Sequence, residues 1–219
     1  MRTLLSLYDY TGNWALPFDE NGWNVILWDI KHDCNFFDTF CDIMDADADY
    51  FYEFIFDNFG TIDAVIVAQP CTDFAVSGAK WFEKKDGNGA TDFSIKLVYQ
   101  TLKIIDLIQP SFWALENPIS RIHNLVPALG KPRMYFNPCD FGDPYTKKTA
   151  LYGQFNTNLK KNKVFPYQGS KMHKKYGGKS EKTKAARSVT PMGFAYAFYE
   201  ANKDYCIHTL DHYQQLTLF

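Results

Sequence analysis

Short apolar runs alternate with polar and turn-forming segments along the first part of the chain. Three of these runs, residues 3–7, 24–28 and 64–67, have the length and continuity of strands that are buried on both faces. The segments between them, up to Gly22 and over residues 49–58, carry apolar residues at helical spacing. This alternation predicts a parallel sheet with helices on both of its faces.

The pattern continues with one long helix and several shorter elements. Residues 92–108 predict a helix that stops before Gln109-Pro110, and residues 112–115 predict a further strand that leads into Glu116-Asn117-Pro118. MYF and TALYGQF predict two later strands, and a last helix should run to Ala201, with Thr190 as its N-cap and proline at its first position. The fold class is therefore α/β, with a mostly parallel central sheet.

Length and composition favour a single intracellular domain. The 219 residues, of which 46% are hydrophobic, can bury one substantial core, so we expect one domain over residues 1–219. The five cysteines form no metal-binding spacing, which indicates reduced thiols and no metal site. No apolar run approaches the roughly 18 residues of a membrane span, and the first residues do not predict a signal peptide, so a cytoplasmic location is expected.

Charge is distributed unevenly. Residues 158–187 hold ten lysine and arginine residues and one acidic residue, although the chain has a formal net charge of -2. Clustered cations release counterions from a phosphate backbone, so this segment suits a polyanion. A solvated loop is the other interpretation, and charge alone does not separate the two.

Several polar residues follow strands directly, and the carboxyl ends of parallel strands face one ligand crevice. Gly12 lies in the first strand-to-helix turn, and Asp29 follows the second strand, where a carboxylate can bind ribose hydroxyls. Cys71 follows Pro70. A buried cysteine is usually an inert small hydrophobe, but one presented at a strand end, with a lowered pKa, would be a nucleophile. Glu116 ends an apolar strand, where a carboxylate must be paired or protonated, so it is a candidate proton donor.

Two motifs, QPCTDFAVSG and FWALENP, resemble the proline-cysteine loop and the glutamate-asparagine motif of the cytosine-5 DNA methyltransferases. The resemblance runs over about the first 200 residues and implies a Rossmann-like, S-adenosylmethionine-dependent methyltransferase fold. It implies that Cys71 adds to carbon 6 of a cytosine flipped out of DNA while Glu116 protonates nitrogen 3, after which carbon 5 accepts the methyl group. Pro70 and Asn117 complete the two catalytic motifs.

Weaker likenesses concern the cofactor, S-adenosyl-L-methionine. SLYDYTGNW occupies the place of the family's glycine-containing cofactor loop, although Tyr10 stands where its first glycine is expected. WDIK and CDI resemble the acidic and the aspartate-isoleucine motifs. The resemblance implies that the cofactor is bound by Tyr8, Gly12, Asn13, Asp29, Ile30, Asp42 and Ile43.

The later part of the chain departs from the family. DFGDPYTKKTALYG lies where the family has glutamine-x-arginine-x-arginine, with Tyr145, Lys147 and Thr149 in place of those residues. The second arginine normally contacts the cytosine carbonyl oxygen, so Lys147 or Lys148 is the candidate substitute. A short basic insert, about residues 154–187, stands in place of a target-recognition domain. The expected nucleic-acid contacts are Ser77, Lys148, Lys171, Lys174, Lys175 and Arg187.

Methylation of DNA in a compact, phage-like enzyme is the leading hypothesis, and others stay open. The same chemistry could act on transfer RNA or on a free deoxycytidine nucleotide. A degenerate homologue that binds nucleic acid without turnover is the non-enzyme alternative, which Tyr10 and Thr149 favour. Amino-group methylation is disfavoured, because Gln69-Pro70-Cys71-Thr72 lacks the paired prolines and aromatic residue of those enzymes. A partner chain that supplies specificity is also left open.

Overall fold

A computed structural model describes residues 1–32, 47–170 and 181–206. Its six strands form one sheet in the order β2-β1-β3-β4-β6-β5. β1, β2, β3 and β4 pair in parallel, whereas β6 is antiparallel to both β4 and β5, so the expected mostly parallel sheet is confirmed. The strands are β1 (Thr3–Leu7), β2 (Asn24–Trp28), β3 (Ala64–Val67), β4 (Phe112–Pro118), β5 (Met134–Phe136) and β6 (Thr149–Gln154).

Seven α-helices are described. Three short 3₁₀ helices, at Val76–Trp81, Pro127–Leu129 and Pro138–Asp140, supplement them. In this part of the chain no helix has the length and apolar composition needed to cross a bilayer. The α-helices are α1 (Leu16–Glu20), α2 (Ala48–Phe59), α3 (Phe82–Gly87), α4 (Ala90–Ile108), α5 (Ile122–Leu125), α6 (Glu181–Ser188) and α7 (Met192–Asn202).

Helices cover both faces of the sheet, as the sequence pattern predicts. On one face, Phe51 of α2 and Val98 of α4 are fully buried against Leu5 and Leu115. On the other, aromatic side chains of α1 and α7 pack on Leu4 and Phe112. The stacked rings of Phe136 and Phe194, with centroids 4.0 Å apart, join β5 to α7. The last helix therefore closes the second hydrophobic core.

Helix ends differ from the sequence-based prediction by one or two residues in α2 and α4, and two other boundaries differ for physical reasons. β4 extends to Pro118, because β6 pairs antiparallel with it beyond the point where β3 ends. Pro118 is tolerated since β6 is its only described neighbour strand and its missing N–H can face the vacated side. The predicted N-cap, Thr190, is wrong: Pro191 has the extended cap conformation, with φ of -62° and ψ of 130°, and α7 begins at Met192.

Candidate active site

Cys71 lies in the loop that leaves β3, four residues after Val67. Its carbonyl oxygen accepts hydrogen bonds from the N–H groups of Phe74 and Ala75, at 3.1 and 2.9 Å, which fixes the turn around it. The half-buried thiol is free of any disulfide. Burial raises its pKa, and the Glu116 carboxylate raises it further, while the Lys147 ammonium acts in the opposite direction. The pKa is thus raised rather than lowered, and the resting thiol is protonated at neutral pH.

Glu116 is paired with Lys147 at the end of β4. Oε1 of Glu116 lies 3.6 Å from Nζ of Lys147, and the two side chains are 14% and 15% exposed. The same ammonium donates to the carbonyl oxygen of Arg187 at 3.1 Å, which ties the end of α6 to the site. Lys148 instead is exposed, with Nζ 5.4 Å from the centre of the Tyr135 ring. Of the two candidate lysines, Lys147 therefore faces the Glu116 carboxylate.

Thr149 does not replace an arginine in the site. Its side chain is 1% exposed at the start of β6, and its hydroxyl donates to the carbonyl oxygen of Lys147 at 3.0 Å. Tyr145, where the family has glutamine, is also buried. The Thr149 hydroxyl therefore helps to fix the backbone at Lys147. Lys147 is the nearest described cation to Glu116.

A buried polar network connects the loop before Cys71 with the turn after β1. Nδ2 of Asn117 donates to the carbonyl oxygen of Gln69 at 3.3 Å, and the Gln69 side chain lies 3.4 Å from the hydroxyl of Thr101. That hydroxyl is 2.9 Å from the hydroxyl of Tyr8. Oδ1 of Asn117 and Nε2 of Gln69 are buried and have no partner within the described ranges. Sequence reasoning included Asn117 and Tyr8 but missed the two residues that connect them, because neither carries a motif of its own.

The turn after β1 and the end of β2 have the features of a nucleotide-cofactor site. Tyr8 adopts a left-handed φ of 60°, and Gly12 a φ of 66°. A Cβ at Gly12 would meet Leu27 at 3.0 Å, so only glycine fits this turn without strain. Oδ1 of Asp29 accepts the N–H of Lys31 at 2.8 Å, and Ile30 is 62% exposed beside it. A carboxylate next to an exposed apolar side chain fits a ribose and an adenine.

Tyr10 is compatible with this site although it replaces a glycine. Its ring lies against the end of β2, 5.5 Å from the ring of His32 and 5.5 Å from Nζ of Lys31. Its φ is not positive, so a side chain is tolerated there without strain. Asn13 is half-buried, and its amide donates to the carbonyl oxygen of Thr190 at 3.5 Å. This bond joins the turn to the segment that precedes α7.

Asp9 is a buried carboxylate in the same turn that sequence reasoning left out. It is 3% exposed and accepts from the hydroxyls of Ser6, at 3.2 Å, and Thr11, at 3.4 Å. Burial raises its pKa, whereas these bonds and those from the backbone N–H groups of Ala15 and Trp14 act in the opposite direction. Asp9 thus joins β1 to the start of α1. An acidic residue two positions after the end of a buried strand was the available signal.

Arg121 holds the loop that follows Cys71. Its guanidinium binds both carboxylate oxygens of Asp86, at 2.6 and 2.8 Å, and donates to the carbonyl oxygen of Asp73 from two nitrogens. It also lies 3.6 Å from the centre of the Phe82 ring. Asp73 is anchored a second time by Nζ of Lys85 at 2.9 Å. Residues 73–86 are therefore tied to the segment after β4, a role that a lone arginine does not signal in sequence.

The remaining predicted residues fall into two groups. Pro70 and Ser77 are exposed, Ser77 in the first turn of a 3₁₀ helix, and Arg187 is half-buried near Cys71, where its charge acts to lower the thiol pKa. The others lie outside the described residues, so their predicted roles stay predictions: Asp42, Ile43, Lys171, Lys174 and Lys175.

The fold and the site together define an α/β methyltransferase-like protein, and comparison with known proteins specifies the family. The model of the C-5 cytosine-specific DNA methylase family matches residues 2–124, more than half of the chain, and the protein belongs to that family. The match includes Cys71 and Glu116. Members of this family use S-adenosylmethionine as methyl donor, as the sequence motifs imply.

Comparison with solved structures found two methyltransferases, and the first of them is similar in fold. The Entamoeba histolytica methyltransferase EhMeth is 13% identical, with a TM-score of 0.50 over 75% of this chain and 57% of its own. A protein described as a DNA modification methyltransferase encoded within an Escherichia coli prophage is 18% identical, with a TM-score of 0.47 over 74% of this chain and 49% of its own. This chain thus spans about half the length of these proteins. No curated protein sequence matched it.

Proposed function

We propose that the protein transfers a methyl group from S-adenosylmethionine to carbon 5 of cytosine in DNA through a covalent Cys71 adduct. The proposal is supported by one grouping above all: a free thiol lies within electrostatic range of the Glu116 carboxylate and of the Lys147 and Arg187 cations. These groups stand at the carboxyl ends of β3 and β4, where open α/β sheets bind their ligands.

The first step needs a thiolate at Cys71 and a proton on Glu116, whereas the raised pKa of Cys71 keeps its thiol protonated at rest. A proton that moves from Cys71 to Glu116 gives both, and it removes the carboxylate charge that helps to hold the thiol pKa high. The Cys71 sulfur then bonds to carbon 6, and Glu116 gives its proton to ring nitrogen 3. The electron pair of the carbon 5–carbon 6 bond becomes available at carbon 5 for the methyl group.

The remaining steps restore the resting site. The cofactor, when bound, supplies an electrophilic methyl group. Water takes the proton from carbon 5, and the electron pair left behind re-forms the double bond between carbons 5 and 6 and expels the Cys71 sulfur as a thiolate. The nitrogen 3 proton returns through Glu116 to that thiolate. Lys147 can donate to the cytosine carbonyl oxygen, since Thr149 is buried and its hydroxyl is bonded to the carbonyl oxygen of Lys147. This assigns to a lysine the contact that an arginine makes in the family.

The residues around the turn after β1 are proposed to hold the cofactor. Asp29 would accept from the ribose hydroxyls, and Ile30 would contact the adenine, with Tyr8, Gly12 and Asn13 shaping the turn. We also propose that the basic insert, about residues 154–187 of a single domain, replaces a target-recognition domain. Phosphate contacts position a protein on DNA without reading its bases, so sequence preference should be short or loose.

The test is methyl transfer from tritiated S-adenosylmethionine to unmethylated duplex DNA, with the product digested to nucleosides. Label in 5-methyldeoxycytidine is expected for the wild type and for Cys139→Ala, which removes another half-buried free thiol. No label is expected for Cys71→Ala. A DNA oligonucleotide that contains 5-fluorocytosine should form a stable adduct with the wild type and Cys139→Ala only.

Different results would point to the alternatives. Label on transfer RNA or on a deoxycytidine nucleotide, but not on DNA, would keep the chemistry and change the substrate. Binding of DNA with no label on any of the three would favour a non-catalytic homologue. Label on DNA with Cys71→Ala would contradict the mechanism.

A further inference from the structure

A strip of chain after β6 presents aromatic rings among lysines. This strip, residues 160–169, lies alongside residues 139–146 and is joined to them by four backbone hydrogen bonds of 2.9 to 3.0 Å. In each bond the N–H of the first residue donates to the carbonyl oxygen of the second: Asn162 to Asp140, Val164 to Cys139, Gln168 to Pro144 and Thr146 to Gly169. The strip is consequently a fixed part of the surface. Its two aromatic side chains, Phe165 and Tyr167, are 80% and 73% exposed.

Burial of these rings against a partner would yield free energy that they forgo in water. Lys160, Lys161 and Lys163 lie directly before the rings and are exposed. No ion pair described for the protein involves these three lysines, and residues 157–170 contain no acidic residue. Aromatic rings beside unneutralised cations match a strand of nucleic acid, whose phosphates take the cations and whose bases stack on the rings.

The position of the strip relates it to the proposed active site. The hydrogen bond between Thr146 and Gly169 joins the end of the strip to the residue before Lys147, the partner of Glu116. Bases within an intact duplex hide their faces in the stack, so a ring can stack only on a base that is unpaired or unstacked. A cytosine taken out of its stack creates such a neighbour beside it.

We propose that Phe165 and Tyr167 form a stacking subsite for unpaired bases of DNA, with the three lysines holding the phosphates. The inference deepens the proposed function, because it adds to the DNA contacts of that same site. It implies that the protein binds single-stranded DNA, or duplex with an unpaired nucleotide, more tightly than fully paired duplex.

Binding without turnover tests this separately from catalysis. The full chain, without cofactor, is titrated into a labelled single-stranded DNA and the matching duplex at several salt concentrations, with fluorescence anisotropy as readout. Phe165→Leu with Tyr167→Leu is expected to weaken single-strand binding by about 5- to 150-fold per stacked base. The duplex should lose much less, and the slope of log affinity against log salt should not change.

Two matched variants separate charge from stacking. Lys160→Gln, Lys161→Gln and Lys163→Gln together should flatten the single-strand salt slope by about 2, at roughly 0.7 per phosphate contact. Tyr50→Leu, which truncates an exposed ring on α2, should change neither affinity nor slope. The proposal would be overturned if Phe165→Leu with Tyr167→Leu lost no more single-strand affinity than Tyr50→Leu. It would also be overturned if the same double variant lost as much affinity for duplex as for single-stranded DNA. Tighter binding to an RNA of the same sequence would overturn its assignment to DNA.

Discussion

The ion pair between Lys147 and Glu116 gives the most quantitative prediction. Lys147→Met removes the cation and keeps most of the aliphatic stem, while Glu116→Gln removes the negative charge and keeps the shape. The atoms that carry the two charges are 3.6 Å apart, and about 15% of each side chain is exposed. The pair is thus neither a surface salt bridge nor a fully buried one.

That intermediate burial sets the expected size of the coupling. At an effective dielectric constant of about 20, two unit charges at this separation attract by about 4–5 kcal/mol before desolvation is counted. Exposed pairs contribute about 0–1 kcal/mol, and removal of one partner from a buried pair costs about 3–5 kcal/mol. We therefore expect a coupling free energy of about 1–3 kcal/mol, with the site stabilised when both charges are present.

A double-mutant cycle measures this coupling. The free energy of unfolding in urea is determined for the wild type, the two single variants and the double variant at pH 7, with Lys148→Met as a matched control that removes an exposed charge one residue away. The control should stay within about 0.5 kcal/mol of the wild type. A coupling below that value would mean that water screens the pair, and Lys147 would then not be the fixed cation of the site.

Three further predictions concern the nucleophile, the loop that follows it and the packing of the last helix. Glu116→Gln should lower the pKa of Cys71, since the carboxylate is one cause of its rise, and iodoacetamide should alkylate the variant faster than the wild type at pH 7.5; an equal or slower rate would contradict this. Arg121→Lys keeps the charge but loses the bidentate bond to Asp86. Trypsin should therefore cleave within residues 73–91 faster in this variant than in the wild type. Unchanged cleavage would argue against the anchoring role of Arg121. A Cβ at Gly193 would overlap a backbone carbonyl oxygen, whereas one at Gly87 meets nothing. Gly193→Ala should therefore lose about 1–3 kcal/mol of unfolding free energy, and Gly87→Ala much less. Similar losses in the two variants would refute the packing argument.

The sequence predicted the strands and the positions of Cys71 and Glu116 because the signals are local. Buried parallel strands are continuous apolar runs, and the residues that follow them must meet at one edge of the sheet. Cys71 and Glu116 could therefore be placed together before the structure was known. The likeness to a known family then supplied the reaction.

Long-range contacts and the choice between adjacent residues were not predictable in this way. Arg121 binds partners 35 and 48 positions away, and no periodicity marks such a residue. Lys147 and Lys148 are identical in type, so only the chain path into β6 decides which of them faces Glu116. The prediction of Thr190 as the N-cap of α7 was wrong for a local reason, since Pro191 takes the extended conformation that Thr190 was expected to have.

The unequal lengths of β3 and β4 explain why the Cys71 loop lies beside Glu116. The two strands are in register up to Val67 and Leu115, and β3 then leaves the sheet while β4 continues beside β6 alone. Over Glu116 and Asn117 the edge of β4 that β3 has vacated is open to the Cys71 loop, and the Asn117 amide fills part of it by donating to Gln69. Because successive side chains of a strand point to opposite faces, Glu116 lies on the face opposite to Asn117. Asn117 can thus anchor the loop while Glu116 pairs with Lys147, and a β3 two residues longer would close this opening.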